Sequence, residues 1–155
     1  ISRAASARYD RRDTQLHMST AKITIQTTVL ADLPKAWEYY TSPEHVTKWN
    51  FASEDWHCPS AQNDMRVGGK FVARMEAKDG SFGFDFEAVY QEIRDQAGFT
   101  YAMTDGRTVE TNFEPVEGGT MITTTFDPEE QNSVEFQKQG WQAILDSYKR
   151  YTEAH

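Results

Sequence analysis

One cysteine, Cys58, stands in 155 residues, too few for a disulfide framework or a four-thiolate zinc site. Long apolar runs are missing as well. No stretch approaches the roughly 18 residues of a membrane span, and the N-terminus lacks the apolar centre of a signal peptide. Cations are scarce: 16 Lys and Arg face 24 Asp and Glu, a net charge of −8. The first 17 residues hold four Arg against two Asp, which leaves 12 basic and 22 acidic residues, a balance of −10, from Met18 onward. Without a basic stripe to neutralise phosphates, the expected partners include no nucleic acid and no membrane. The four histidines, His17, His45, His57 and His155, show no ligand spacing, so neither a metal nor another cofactor is expected. A reducing cytoplasm is the expected compartment.

The length suits one domain with its own hydrophobic core. Ile1 to His17 (ISRAASARYDRRDTQLH) has no apolar period and a composition unlike the remainder. Residues 1–17 are therefore expected to be a leader or vector-derived segment outside the fold, with a single domain over 18–155.

What the sequence does have is period. From Asn132 to Glu153, at about 100° per residue, Val134, Trp141, Ile144, Leu145, Tyr148 and Tyr151 fall in one arc of roughly 120°, with Glu135, Gln139, Gln142, Asp146 and Arg150 opposite. That predicts a long C-terminal helix, with Asn132 and Glu135 spaced as a capping box. Near the other end, Ile23, Ile25, Thr27 and Val29 alternate with polar residues as in a half-buried strand. Asp32 before Leu33-Pro34 starts a short helix, and Pro43 restarts a second through Trp49. Between these ends lie six strands, Trp56–Ala61, Phe71–Ala77, Phe82–Ile93, Phe99–Met103, Thr108–Pro115 and Met121–Phe126, separated by turn signals such as Asp79-Gly80 and Asp105-Gly106. The fold class is therefore α+β, an antiparallel sheet of seven strands covered by the last helix.

Strand alternation also assigns faces. Phe71, Ala73 and Met75 share one side with Phe82, Phe84 and Phe86, and Tyr101, Met103 and Phe113 continue it toward Trp141, Leu145 and Tyr148 of the helix. Ordinary core accounts for most of such a face. Gln137 is the exception, because an amide within the apolar arc requires a partner or a wet cavity. On the opposite face, Arg74, Glu76, Asp85 and Glu87 suit cross-strand ion pairs, while Arg107, just after a turn, can reach toward an acidic ligand group. Asp55-Trp56-His57-Cys58 groups an acid, an imidazole and a thiol. Neighbouring strand residues point to opposite faces, however, so His57 and Cys58 make a poor nucleophile–base pair and no catalytic residue is assigned.

The order of strand, two short helices, six-strand meander and long helix resembles the helix-grip fold of the SRPBCC superfamily, which includes START domains, birch-pollen allergen proteins and polyketide cyclases. The strings WNFASEDWHCP (49–59), RVGGKF (66–71), AKDGSFGFDF (77–86), TFDPE (125–129) and QGWQAIL (139–145) are similar to the activator of heat-shock protein 90 ATPase homologue family, in its stand-alone bacterial branch. The resemblance implies a cavity between sheet and terminal helix. A hydrophobic or aromatic small molecule is the expected ligand. The expected contacts are Trp49, Trp56 and His57 at the mouth, Phe71, Met75, Phe84 and Phe86 on the central strands, Tyr101, Met103 and Phe113 beyond them, and Gln137, Trp141 and Leu145 on the helix. Two alternatives stay open: a cyclase- or aromatase-like enzyme using His57, Tyr101 or Gln137 in the same cavity, and a co-chaperone-like activator with a chaperone as partner.

Overall fold

The computed structural model describes residues 21–155; the expected leader and start at Met18 lie outside the described residues. Strand β1 (Ile23–Val29) buries Ile23, Ile25 and Val29 and turns Thr24, Gln26 and Thr28 outward. Asp32 then caps α1 (Leu33–Thr41), its carboxylate accepting the Lys35 amide at 3.1 Å. Pro34 occupies the first turn, where no amide donor is required. Helix α1 ends where Pro43 follows, because the residue before a proline is pushed out of helical geometry; Ser42 accordingly sits extended, and α2 (Pro43–Trp49) starts anew.

The next six strands are β2 (Trp56–Asn63), β3 (Lys70–Ala77), β4 (Gly83–Arg94), β5 (Gly98–Met103), β6 (Thr108–Val116) and β7 (Gly119–Phe126), followed by α3 (Val134–Ala154). The sheet order is β1-β7-β6-β5-β4-β3-β2, antiparallel throughout. Consecutive strands form the meander, and β1 closes it by pairing with the last strand. The Asp-Gly turns behave as expected, with Gly80 at φ 78° and Gly106 at φ 92°, conformations that only glycine adopts readily. This is the α+β architecture read from the sequence, with strand ends displaced by one or two residues.

Helix α3 enters differently from expectation. Ser133 is the cap, its Oγ accepting the Phe136 amide at 3.1 Å. Asn132 still belongs to the preceding turn: its amide donates to the Glu129 carboxylate at 2.8 Å and its carbonyl accepts from Gln137 at 2.8 Å. The capping box at Asn132 and Glu135 therefore does not form. Val134, counted in the apolar arc, is 54% exposed.

Farther along, α3 rests beside β1 and α2 and seals a dense core. Tyr148 is fully enclosed, and its hydroxyl donates to the Ala36 carbonyl at 2.7 Å. Phe113 lies beneath Trp37 and Tyr40, ring centroids 5.1 and 5.5 Å away. Trp49 fixes α2 to α1 through Nε1, which donates to the Tyr39 carbonyl at 2.8 Å.

Candidate functional site

Toward the other end of the helix the contact opens. A cavity of about 400 Å³ lies between α3 and the concave face of β3, β4 and β5, within the size range of small-molecule sites. Its sheet wall carries Phe71, Met75, Phe84, Phe86, Tyr101 and Met103, and its helix wall Gln137, Gly140, Trp141, Ile144 and Leu145. Alternation along the strands and the 3.6-residue period of the helix project both sets into one space. Phe71 and Phe86 flank Tyr101, each about 6.0 Å away between centroids. Trp141 is held by stacking on Phe126 at 3.9 Å. Phe84 and Phe136 line the cavity yet remain 43% and 63% exposed, so they stand at its mouth.

Gly140 is the gap in the helix wall. A Cβ built there meets no atom within 4 Å. Any larger side chain at this position would enter open space on the flank shared with Gln137 and Ile144.

The cavity's polar groups are mostly occupied with one another. Asn63 is held at both ends of its amide: Oδ1 accepts from the Tyr90 hydroxyl at 2.6 Å, and Nδ2 donates to the Thr41 carbonyl at 2.7 Å. Gln137 spends its amide on the loop before α3, with Oε1 accepting the Glu129 amide at 2.8 Å and Nε2 donating to the Glu129 and Asn132 carbonyls at 3.0 and 2.8 Å. Its place in the apolar arc is thus explained by satisfied hydrogen bonds. Tyr40 sits against the hydroxyls of Thr124 and Thr111; desolvation raises its pKa, partly offset by those neighbours. Burial likewise pushes the Tyr90 and Tyr101 phenols upward, so all three remain protonated donors near neutral pH. Arg107 lines the cavity while its Nε is held by Asp105 at 2.8 Å.

Of the residues expected to touch a ligand, Trp49, Phe71, Met75, Phe84, Phe86, Tyr101, Met103, Gln137, Trp141 and Leu145 are brought together around this space. Three stand elsewhere. His57 points to the convex face, its Nε2 3.4 Å from Glu76, which also receives Arg74 Nε at 2.8 Å; strand alternation puts it opposite buried Cys58. Trp56 packs on Phe82 and Phe84 outside the wall, with centroids 6.0 and 6.2 Å apart. Phe113 belongs to the sealed core described above. One further expectation shifts: Phe82, grouped with the inward aromatics, precedes its strand and is 60% exposed. Among the wall residues that the sequence reading missed are Gly140, Tyr40, Asn63 and Tyr90. A glycine inside an amphipathic helix was the available signal for the first, whereas the Asn63–Tyr90 link joins β2 to β4 and leaves no local trace.

Among the described residues, no three His, Cys, Asp or Glu side chains converge as metal ligands would. No helix of those residues is long and apolar enough to cross a membrane.

Residues 31–153 match the family model for Activator of Hsp90 ATPase homolog 1-like protein. The solution structure of an AHSA1-like protein from Aeromonas hydrophila is 39% identical with a TM-score of 0.81, over 86% of this chain and 92% of that one. A solution structure from Cytophaga hutchinsonii is 47% identical with a TM-score of 0.75, over the same shares. A crystal structure from Nitrosomonas europaea, 16% identical over 86% of this chain and 95% of that one, has a TM-score of 0.74 and shares the fold. No curated protein sequence matches this chain.

Proposed function

This chain belongs to the Activator of Hsp90 ATPase homolog 1-like family, and from that premise we propose that it binds a hydrophobic or aromatic small molecule between its sheet and α3. The observation that carries the reading is the cavity of about 400 Å³, walled by aromatic rings and methionines at the end of an otherwise tightly packed interior. Protein interiors normally close such space. Here α3 leaves it open at Gly140, where alanine would fit without a clash and would favour the helix.

The cyclase-like alternative has lost one of its candidate acid–base groups, since His57 faces away from the cavity, and Gln137 is bound up with backbone groups. A chaperone partner would instead use the outer surface, and its test is stimulation of a heat-shock ATPase by the protein without added small molecule.

The binding reading is tested with N-phenyl-1-naphthylamine, an uncharged dye that brightens in apolar surroundings. Wild-type protein should bind it, and Gly140→Leu, which fills open space at the wall, should weaken binding about tenfold or more while unfolding at an equal or higher temperature. Unchanged affinity in a folded Gly140→Leu protein would overturn the assignment.

A further inference from the structure

Resting on that reading, we infer that the ligand is an uncharged aromatic molecule bearing a carbonyl oxygen, and that the Tyr101 hydroxyl is the donor that receives it. Most of the cavity's other polar side chains are already engaged; the Asn50 amide, at the wall beside α2, holds a long 4.0 Å contact from Nδ2 to the Cys58 sulfur. Asn63 and Tyr90 satisfy each other, Gln137 is bound to the loop before α3, and Tyr40 lies against Thr111 and Thr124. Thr41 donates to the Trp37 carbonyl at 2.8 Å, and Trp49 to Tyr39 at 2.8 Å. Tyr101 is 8% exposed and, among the described residues, has no hydrogen-bond partner.

Its hydroxyl is not sealed off. The one sealed, unpartnered side-chain oxygen among the described residues is that of Thr152, at the far end of α3. The Tyr101 oxygen therefore retains contact with open space, and the cavity is the space this residue lines. A buried donor without an acceptor is costly, so an occupant that supplies the acceptor gains more than one that does not.

Charge and shape narrow the class. A phenol with Phe71 and Phe86 on either side is a neutral donor in an apolar wall, and Arg107 at the wall is already held by Asp105. An anion drawn into this space would lose its hydration and meet only Arg107, whose charge Asp105 already offsets. A neutral oxygen avoids that penalty. The surrounding rings of Phe71, Phe86 and Trp141 offer faces and edges to a planar aromatic skeleton.

The test uses a matched pair, 9-fluorenone and fluorene, which share a tricyclic frame and differ in the carbonyl. Tryptophan quenching reports affinity, and the infrared carbonyl stretch of bound fluorenone reports the hydrogen bond itself. Wild-type protein should favour fluorenone and lower its carbonyl frequency. Tyr101→Phe should weaken fluorenone about tenfold, return the stretch to its value in apolar solvent, and leave fluorene unchanged. If both probes bind but neither affinity nor frequency responds to Tyr101→Phe, the carbonyl inference fails while the binding cavity stands. If neither probe binds wild-type protein, the cavity reading fails and this inference with it. Parallel titration of Tyr90→Phe guards against a general loss of order: an equal loss of fluorenone there, with fluorene also weakened, would overturn the assignment to Tyr101.

Discussion

Along α3, the first two turns and the last three meet the rest of the molecule differently. The later turns bury Leu145, Ser147, Tyr148 and Thr152 against α1, α2 and β1, with the Tyr148 hydroxyl donating to a helix carbonyl. The early turns leave Val134 and Phe136 exposed, bury Gln137 through hydrogen bonds to a loop, and face open space at Gly140. One amphipathic helix thus serves as a seal at one end and as a wall at the other. The lesson is that a continuous apolar stripe specifies which face of a helix turns inward, while the space it encounters depends on elements far away in sequence.

Truncating one phenylalanine at each end is the severest comparison. Phe113→Ala removes an enclosed ring and should cost about 3–5 kcal/mol in denaturant unfolding, whereas Phe86→Ala, whose ring already borders the cavity, should cost under about 2 kcal/mol. Equal losses would break the distinction between the ends. A finer cut removes only hydroxyls. Tyr148→Phe removes the buried hydroxyl bond to the Ala36 carbonyl and should cost about 1–3 kcal/mol, while Tyr101→Phe removes a group with no described partner and should leave stability within about 0.5 kcal/mol of wild type. A comparable penalty in both would mean that Tyr101 is structurally engaged.

Gly140→Ala sharpens the contrast in the opposite direction. It should raise stability by about 0.5–1 kcal/mol, because helix propensity improves and nothing crowds the added methyl. A loss of stability would show that the wall is closer than described. The smallest effect concerns the sealed end. Glu153 holds the Leu30 amide at 2.8 Å and Lys149 at 2.9 Å, and these contacts, Lys149 foremost, depress its carboxyl pKa. Its contribution is therefore present above the ordinary carboxylate pKa and fades as pH falls through the depressed folded value. Thermal melts from neutral to acid pH should show a slightly shallower decline in Glu153→Gln; identical profiles would remove Glu153 from the seal.

How far the sequence carried can be seen in particular residues. Alternation placed Phe71, Met75, Phe84 and Phe86 on one side because a strand's period is fixed, and Pro34 and Pro43 marked helix starts because their constraints are local. Local rules could not separate Phe86 from Phe113. Both are inward aromatics, and only the positions of α1 and α3 decide that one borders a void and the other lies under Trp37. Phe82 and Val134 share a different fault: each has the correct period at the edge of its element, yet remains exposed. The cluster Asp55-Trp56-His57-Cys58 suggests an acid–base group at the mouth, but which face His57 takes is decided by its register against buried Cys58 and Glu76 of β3. The Asn63–Tyr90–Thr41 chain joins three elements 22 to 27 residues apart, beyond any local pattern.

The pairing of β1 with β7 governs how the molecule can be made. Ile23 meets Phe126 and Val29 meets Thr120, across an intervening chain of about 90 residues. A ribosome adding about 5–20 residues per second delivers that partner roughly 5–18 seconds after β1 emerges. During that interval the first strand is an edge waiting for a mate. Closure of the sheet is thus a long-range event, the kind of non-local pairing that goes with slower folding. Thr24, Gln26 and Thr28 on the outward side of that waiting strand give it a polar face, which tempers its attraction for the edge of another nascent chain.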